Sequence, residues 1–372
     1  VEGVVVNAGR PDPAFWAGRR VLVTGHTGFK GTWLCWWLHR LGAMVHGFSD
    51  VVPTTPAAFD VLGTASVLAH DLRGDVRDAQ QVAEAVRTCR PDVIFHLAAQ
   101  PLVRRSYLDP VETWATNVMG TLHVMEAARR HPDLQALVLV TSDKCYENRE
   151  WVWGYREDEP MGGSDPYSSS KGAAEIAIRA WRRSYFTPGR ATASSLAGMA
   201  SVRAGNVLGG GDWSEDRIVP DAIRAWTRGA PLEVRSPAAI RPWQHVLDPL
   251  RGYLAAAQAL VEAPGSLPEA LNFGPRAEDA LPVRALMDAF AAAWGDDCPG
   301  WHVPADAPPQ PHEAHFLKLD SSLAAAALGW HPVLPVQKTL ESTAAWYRAW
   351  HEGASLQALR ALTLHQIEAL AS

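Results

Sequence analysis

Apolar positions along the chain follow two rhythms. Residues 21–24 form a short apolar run, and Trp33, Leu34, Trp37, Leu38 and Leu41 follow it at helical spacing. Apolar runs return at 44–48, 67–72, 93–99 and 136–140, with helical patterns between them near 80–88 and over 108–130. Strands alternating with helices in this way predict a parallel sheet covered on both faces, with right-handed crossovers. Ligands of such sheets bind beyond the carboxyl ends of the strands. The second half changes character. Pro, Gly and Trp are scattered over 209–243, the rhythm weakens, and the Ala-rich stretch 187–201 reads as a connector. No internal repeat is visible. Residues 1–16 read as a polar leader, with Phe15 and Trp16 expected to tuck against the first strand.

The first strand runs into Gly25-His26-Thr27-Gly28-Phe29-Lys30-Gly31. Three glycines at three-residue spacing, between a strand and an amphipathic helix, let backbone approach a pyrophosphate and turn helix N–H groups toward its charge. The spacing is G-x-x-G-x-x-G, not the G-x-G-x-x-G of lactate-type dehydrogenases. The prediction is a Rossmann-type doubly wound α/β domain over 15–205, with 238–262 returning to it. A smaller mixed α/β C-terminal domain, 206–237 and 263–350, should bind substrate and cover the crevice, and 351–372 should form a helical tail. Asp50 ends the second strand, where a carboxylate accepts from the adenosine ribose of NAD; a solvated loop carboxylate is the other reading of it.

Composition narrows the function classes. The chain has 372 residues, 47% hydrophobic and 20% charged, as in an ordinary globular protein. A net charge of −6 gives no electrostatic case for nucleic acid or an anionic membrane. No apolar run reaches spanning length, and the first twenty residues lack a signal-peptide pattern. Cys35, Cys89, Cys145 and Cys298 are scattered without metal-ligand spacing, so no metal site is expected and free thiols in the cytoplasm are. Most of the sixteen tryptophans should be core.

Chemistry concentrates in Tyr167-Ser-Ser-Ser-Lys171. At i and i+4 on a helix the two side chains face the same way. An ammonium beside a phenol lowers its pKa, and such a tyrosine can take a proton from a sugar hydroxyl while hydride leaves the same carbon. Ser142, at the end of the fifth strand, should hydrogen-bond that hydroxyl.

In the order glycine turn, Asp75-Val76, Leu97-Ala98-Ala99, Asn117, Ser142 and Tyr167/Lys171, the chain resembles the extended short-chain dehydrogenase/reductase family. Within it, the resemblance is to the CDP-glucose 4,6-dehydratase branch. It rests on His96-Leu-Ala-Ala-Gln-Pro-Leu-Val103, Thr141-Ser-Asp-Lys-Cys-Tyr146, Asn148-Arg-Glu-Trp-Val-Trp-Gly-Tyr155, Arg203-Ala-Gly-Asn-Val-Leu-Gly-Gly-Gly-Asp-Trp213, Asp216-Arg-Ile-Val-Pro-Asp221 and Arg241-Pro-Trp-Gln-His245. It covers the chain from about Phe15 to near the C-terminus.

The resemblance implies NAD as cofactor and CDP-glucose as substrate. Hydride leaves C4, water is lost across C5 and C6, and hydride returns to C6, giving CDP-4-keto-6-deoxyglucose. It assigns Gly25 to Gly31, Asp50, Asp75, Val76, Leu97, Ala98, Ala99, Asn117, Tyr167 and Lys171 to the cofactor. Lys30 could reach its phosphate, and His26 could lie near its ribose. Gln100, Arg104, Asn206, Arg217, Ile218, Val219, Arg235, Arg241 and His245 are assigned to the substrate, and residues 147–155 are expected to fold over the sugar. In that scheme Asp143 is the acid that protonates the departing 6-hydroxyl, and related dTDP-glucose enzymes carry Asp-Glu where this chain has Asp143-Lys144. Lys144 then either takes the C5 proton with a depressed pKa or stabilises the enolate while another group takes it. A C4 epimerase or decarboxylase on the same scaffold, and a non-catalytic NAD-sensing protein, are the competing readings. Association into a homodimer or homotetramer is expected through the helices near 108–130 and 166–185, where Trp114, Val118, Leu122 and Met125 form an apolar stripe; alternatively the stripe only packs on the sheet.

Overall fold

The computed structural model describes residues 9–187, 197–305 and 317–371. Seven parallel strands form one sheet: β1 (Arg20–Thr24), β2 (Met44–Ser49), β3 (His70–Arg73), β4 (Val93–His96), β5 (Ala136–Val140), β6 (Gly198–Ala204) and β7 (Ala270–Phe273). Their order is β7-β6-β5-β4-β1-β2-β3. Val21 stands opposite both Val45 and Val93, so β1 lies between β2 and β4 and the chain reverses its direction of winding there. That reversal opens a crevice above the carboxyl ends of β1 and β4.

The helices used below are α1 (Phe29–Arg40), α2 (Ala79–Cys89), α3 (Gly120–Arg129), α4 (Pro166–Tyr185), α5 (Ile218–Trp226) and α6 (Leu247–Glu262). One apolar core unites Trp33, Trp37 and Leu38 of α1 with Val246, Leu250 and Leu254 around α6, and extends to Trp330 and Trp346. The opposite face is covered by α2, α3 and α4 through Val82, Val86, Val124, Met125 and Ile178. Trp16 is fully buried, 6.1 Å from Phe95, so the start of the described chain does pack against the sheet.

Four elements differ from expectation. The run 67–72 is not one strand: Thr64–Val67 is a 3₁₀ turn and β3 begins only at His70. The helical pattern 108–130 is divided, because Asp109 caps a new helix whose first residue is Pro110, ending the short helix Val103–Leu108. That new helix then passes through a π turn, Ala115–Met119, before α3. The stretch 187–201 is not a connector throughout, since its last residues enter β6, a wholly buried central strand; residues 188–196 lie outside the described residues. The stripe at Trp114 also divides. Met125 is buried toward the sheet, whereas Trp114 is 42% exposed.

Candidate active site

The glycine turn closes too tightly for side chains. A Cβ on Gly25 (φ +73°) would stand 2.6 Å from the Ala98 backbone nitrogen, and one on Gly31 would stand 2.2 Å from the Gly25 carbonyl. Gly28 caps α1 without any side chain capping the first turn, which leaves its N–H groups for an anion. The Thr27 hydroxyl donates to the Val51 carbonyl (2.7 Å), tying the turn to the end of β2. Asp50 lies just past β2 and is exposed, its carboxylate accepting from the Val51 N–H (2.7 Å). Beyond β3, Arg77 holds the Asp75 carboxyl below its usual range, and the Val76 side chain packs on Gly120.

His26 is turned into the protein. Its ring is fully buried, edge-on to Phe59, with Nε2 2.8 Å from Asp71 Oδ1 of β3. Burial lowers its pKa against the pull of Asp71. Only a glycine at position 47 admits this ring, since a Cβ there would meet it at 2.3 Å. Lys30 turns toward the reactive side of the crevice. Its Nζ lies 3.5 Å from the Tyr253 hydroxyl of α6, and desolvation together with Arg217 brings it down to about 8.

Behind the turn, Thr24, His96 and Thr121 form a buried chain at 2.7 and 3.1 Å. Burial lowers His96 to about 3, so the ring is neutral. Asn117 sits in the π turn, where such bulges concentrate at functional positions. Its carbonyl oxygen accepts from the Gln100 N–H (2.9 Å), and its amide donates to Ser170 Oγ (2.9 Å), bracing the loop after β4 against α4.

The reactive groups converge between β5 and α4. Asp165 caps α4 by accepting from the Ser168 N–H (2.9 Å) and hydroxyl (2.5 Å), which presents Tyr167 in the first turn. Ser142 donates to Asp143 Oδ1 (2.9 Å) and hydrogen-bonds the Tyr167 phenol. Tyr167, Lys171, Ser142 and Asp143 are all buried. Burial raises the Asp143 carboxyl, against the opposing pull of the neighbouring Lys144 ammonium, so it keeps its proton more readily than a surface aspartate.

The tyrosine departs from expectation. Burial drives Tyr167 up to about 12, against the Ser142 hydrogen bond. Desolvation lowers Lys171 itself to about 8, against the pull of Glu175. The Arg217 charge pulls the phenol the other way without offsetting its burial.

Around this cluster, Arg217 caps α5, bonded to Asp212 (3.0 Å), and its charge bears on both Tyr167 and Lys30. Arg104 pairs with Asp216 (2.8 Å) at the same rim. Arg241 lies on the short strand Ile240–Pro242, and Asn206 is exposed just before the bridge Val207–Leu208. Ile218 is half-buried and Val219 is core; Arg235 is exposed. Two expected substrate residues are used inside the protein. Gln100 Nε2 donates to the Leu102 carbonyl and Thr113 Oγ1, and its Oε1 accepts from Leu102 N–H. His245 is fully buried, edge-on to Trp33, with burial lowering it to about 3. In the loop 147–155, Trp151 and Tyr155 stack at 5.3 Å, while Val152 and Trp153 are about two-thirds exposed at its tip.

Two site residues lay outside the sequence reading. Tyr253 reads as core in an apolar helix, yet its buried hydroxyl meets Lys30. Gly205 flanks the acid: a Cβ there would come within 2.9 Å of Asp143 Oδ2.

Residues 21–274 match the model of the NAD dependent epimerase/dehydratase family. The chain belongs to this family. It is 48% identical to the CDP-glucose 4,6-dehydratase of Salmonella typhimurium, over 92% of the chain and 94% of that protein. It is 30% identical to the dTDP-glucose 4,6-dehydratase of Streptomyces griseus, over 89% and 96%. Among solved structures, the Thermus thermophilus UDP-glucose 4-epimerase complex with NAD superposes with a TM-score of 0.73 at 26% identity, covering 90% of this chain and 99% of that one. As in the family at large, the cofactor is NAD, and the side-chain-free glycine turn with its uncapped helix suits a dinucleotide.

Proposed function

We propose that the chain converts CDP-glucose to CDP-4-keto-6-deoxyglucose. The observation that carries the reading is a protonated-leaning Asp143 buried within hydrogen-bond reach of Ser142, which itself holds Tyr167. An epimerase needs the tyrosine and serine but no acid. The 48% relative supports CDP as the nucleotide.

Bound NAD would supply the hydride acceptor for C4 and donor for C6, and its oxidised ring a further positive charge beside the buried phenol. Gly25 to Gly31 would hold its pyrophosphate and Asp50, Asp75 and Val76 its adenosine end. Leu97 to Ala99 and Lys171 would hold its nicotinamide half. Tyr167 takes the proton of the C4 hydroxyl, which Ser142 orients. Once C4 is a ketone, the C5 proton is acidic and passes to solvent, which returns a proton to C5 once C6 is reduced. Asp143 donates its proton to the departing C6 hydroxyl. Lys144, whose charge already bears on Asp143, stabilises the C4 enolate, because an ammonium is an electrostatic partner before it is a base. Arg217, Arg104 and Arg241 line the side of the crevice where a diphosphate would lie.

The domain division is part of the same reading: 15–205 with 238–262 carries the cofactor, and 206–237 with 263–350 carries the sugar nucleotide. We also place the protein in the cytoplasm as a dimer or tetramer. In support, no helix among the described residues is long and apolar enough to cross a membrane, and all four cysteines are free.

The test is incubation with CDP-glucose and NAD in deuterated water, followed by NMR. A new C6 methyl, loss of the hydroxymethyl signal and deuterium at C5 are expected. Inversion at C4 with C6 oxygen retained would make the chain an epimerase.

A further inference from the structure

Below the crevice, on the side of the sheet covered by α2, three potential ligands meet that this chemistry does not use. His46 and His70 stand directly opposite each other on β2 and β3. Neighbouring strands lie about 4.8 Å apart, so both imidazoles project from the same face side by side. Their Nδ1 atoms are 3.2 Å apart, with ring centroids 5.0 Å apart. Cys89, the last residue of α2, closes the group, and one donor atom from each residue lies within 4.8 Å of the others. His46 is three residues from the end of β2, roughly 10 Å of strand below the crevice.

We propose that His46, His70 and Cys89 bind a thiophilic divalent cation of the Zn²⁺ class. The geometry is close to that of a coordination sphere. Two nitrogens at about 2.0–2.1 Å from a tetrahedral zinc stand roughly 3.4 Å apart, near the separation already present. Two imidazoles with one thiolate form a borderline-soft donor set, which selects zinc over calcium or magnesium. His46 is buried and its Nε2 has no hydrogen-bond partner in the protein, so the surrounding fold leaves this ring largely unused. Burial and the adjacent His70 lower it to about 4, and the ring is therefore neutral, as a ligand must be. Arg20, whose charge also reaches His46, is engaged with Asp92 at 2.6 Å. His70 is exposed, which gives the cation a path in and leaves the fourth position to water.

Binding breaks the Cys89 S–H bond, forms the metal–sulfur bond and releases one proton to solvent. Because the thiol must lose its proton to ligate, affinity rises with pH. A cation here joins β2, β3 and the end of α2, and has no contact with the reacting atoms.

The test uses the full chain without a histidine tag, stripped by chelator and titrated with Co²⁺. A near-ultraviolet thiolate-to-cobalt band is expected, saturating at one equivalent and displaced by Zn²⁺. Cys89→Ser should abolish the band. His70→Ala, at an exposed position that leaves the fold intact, should weaken Co²⁺ binding by at least about tenfold. Cys298→Ser should change nothing. Absence of the band in the parent protein, its survival in both site variants, or its loss in Cys298→Ser would overturn the proposal and leave a simple histidine–histidine hydrogen bond.

Discussion

At the scale of single residues, the reactive cluster divides the reaction into separable steps. Asp143→Asn keeps the shape and removes the acid. Oxidation at C4 should persist while elimination slows by about 10²–10⁴, so reduced cofactor accumulates at 340 nm on mixing with CDP-glucose; turnover at the parent rate would remove Asp143 from the mechanism. Tyr167→Phe should instead stop hydride transfer, with no reduced cofactor appearing. Lys171 must be an ammonium to hold the nicotinamide ribose, and desolvation brings it to about 8. The ammonium is present below that value and is lost above it, so kcat/KM should bend downward above about pH 8. Lys30 titrates nearby at about 8 too, and the bend should persist in Lys30→Met if Lys171 is its source.

At the scale of elements, the site depends on how α4 is anchored. Its cap, Asp165, holds the turn that carries Tyr167, so Asp165→Ala should cost about 1 kcal/mol in stability and lower turnover with little change in KM. Further along α4, Glu175 and Arg203 of β6 form a fully buried pair at 2.6 Å, to which the Ser201 hydroxyl also donates at 2.9 Å. Removing one charge leaves the other buried and unpaired, so Arg203→Met should cost about 3–5 kcal/mol, read from denaturant unfolding. These anchors explain what the chain pattern reveals and what it hides. The glycine turn, Ser142 and the Tyr167/Lys171 pair are local signatures, set by neighbours within a few positions. His26, His245 and Gln100 are local in sequence but not in partnership. Asp71, Trp33 and Thr113 decide where they point, and each comes from another part of the chain. Likewise the division of the 108–130 pattern was visible in Asp109-Pro110, whereas the π turn at Asn117 follows from packing against α4 and the loop after β4.

At the scale of the whole molecule, one face remains to be covered. Tyr107, Leu108, Val111, Trp114 and Met119 are exposed along the divided helix before α3, and Ile176 is 62% exposed on the adjacent α4. Exposed apolar residues on neighbouring helices are the kind of surface that an association site uses. The Arg105–Glu112 and Arg77–Glu112 pairs stand near the same helix as a polar rim. A second copy presenting the same two helices would complete a four-helix contact, with the two-fold symmetry usual for homodimers. Because Ile176 and Tyr167 share α4, such a contact would also steady the helix that carries the phenol. The double variant Val111→Glu, Ile176→Glu buries two carboxylates in that contact without touching the core. Sedimentation velocity should show the mass falling to that of one chain, and turnover should fall several-fold while the far-ultraviolet circular dichroism is unchanged. If the variant sediments as the parent does, the association runs through another face, and the exposure of Leu108 and Val111 needs a different partner.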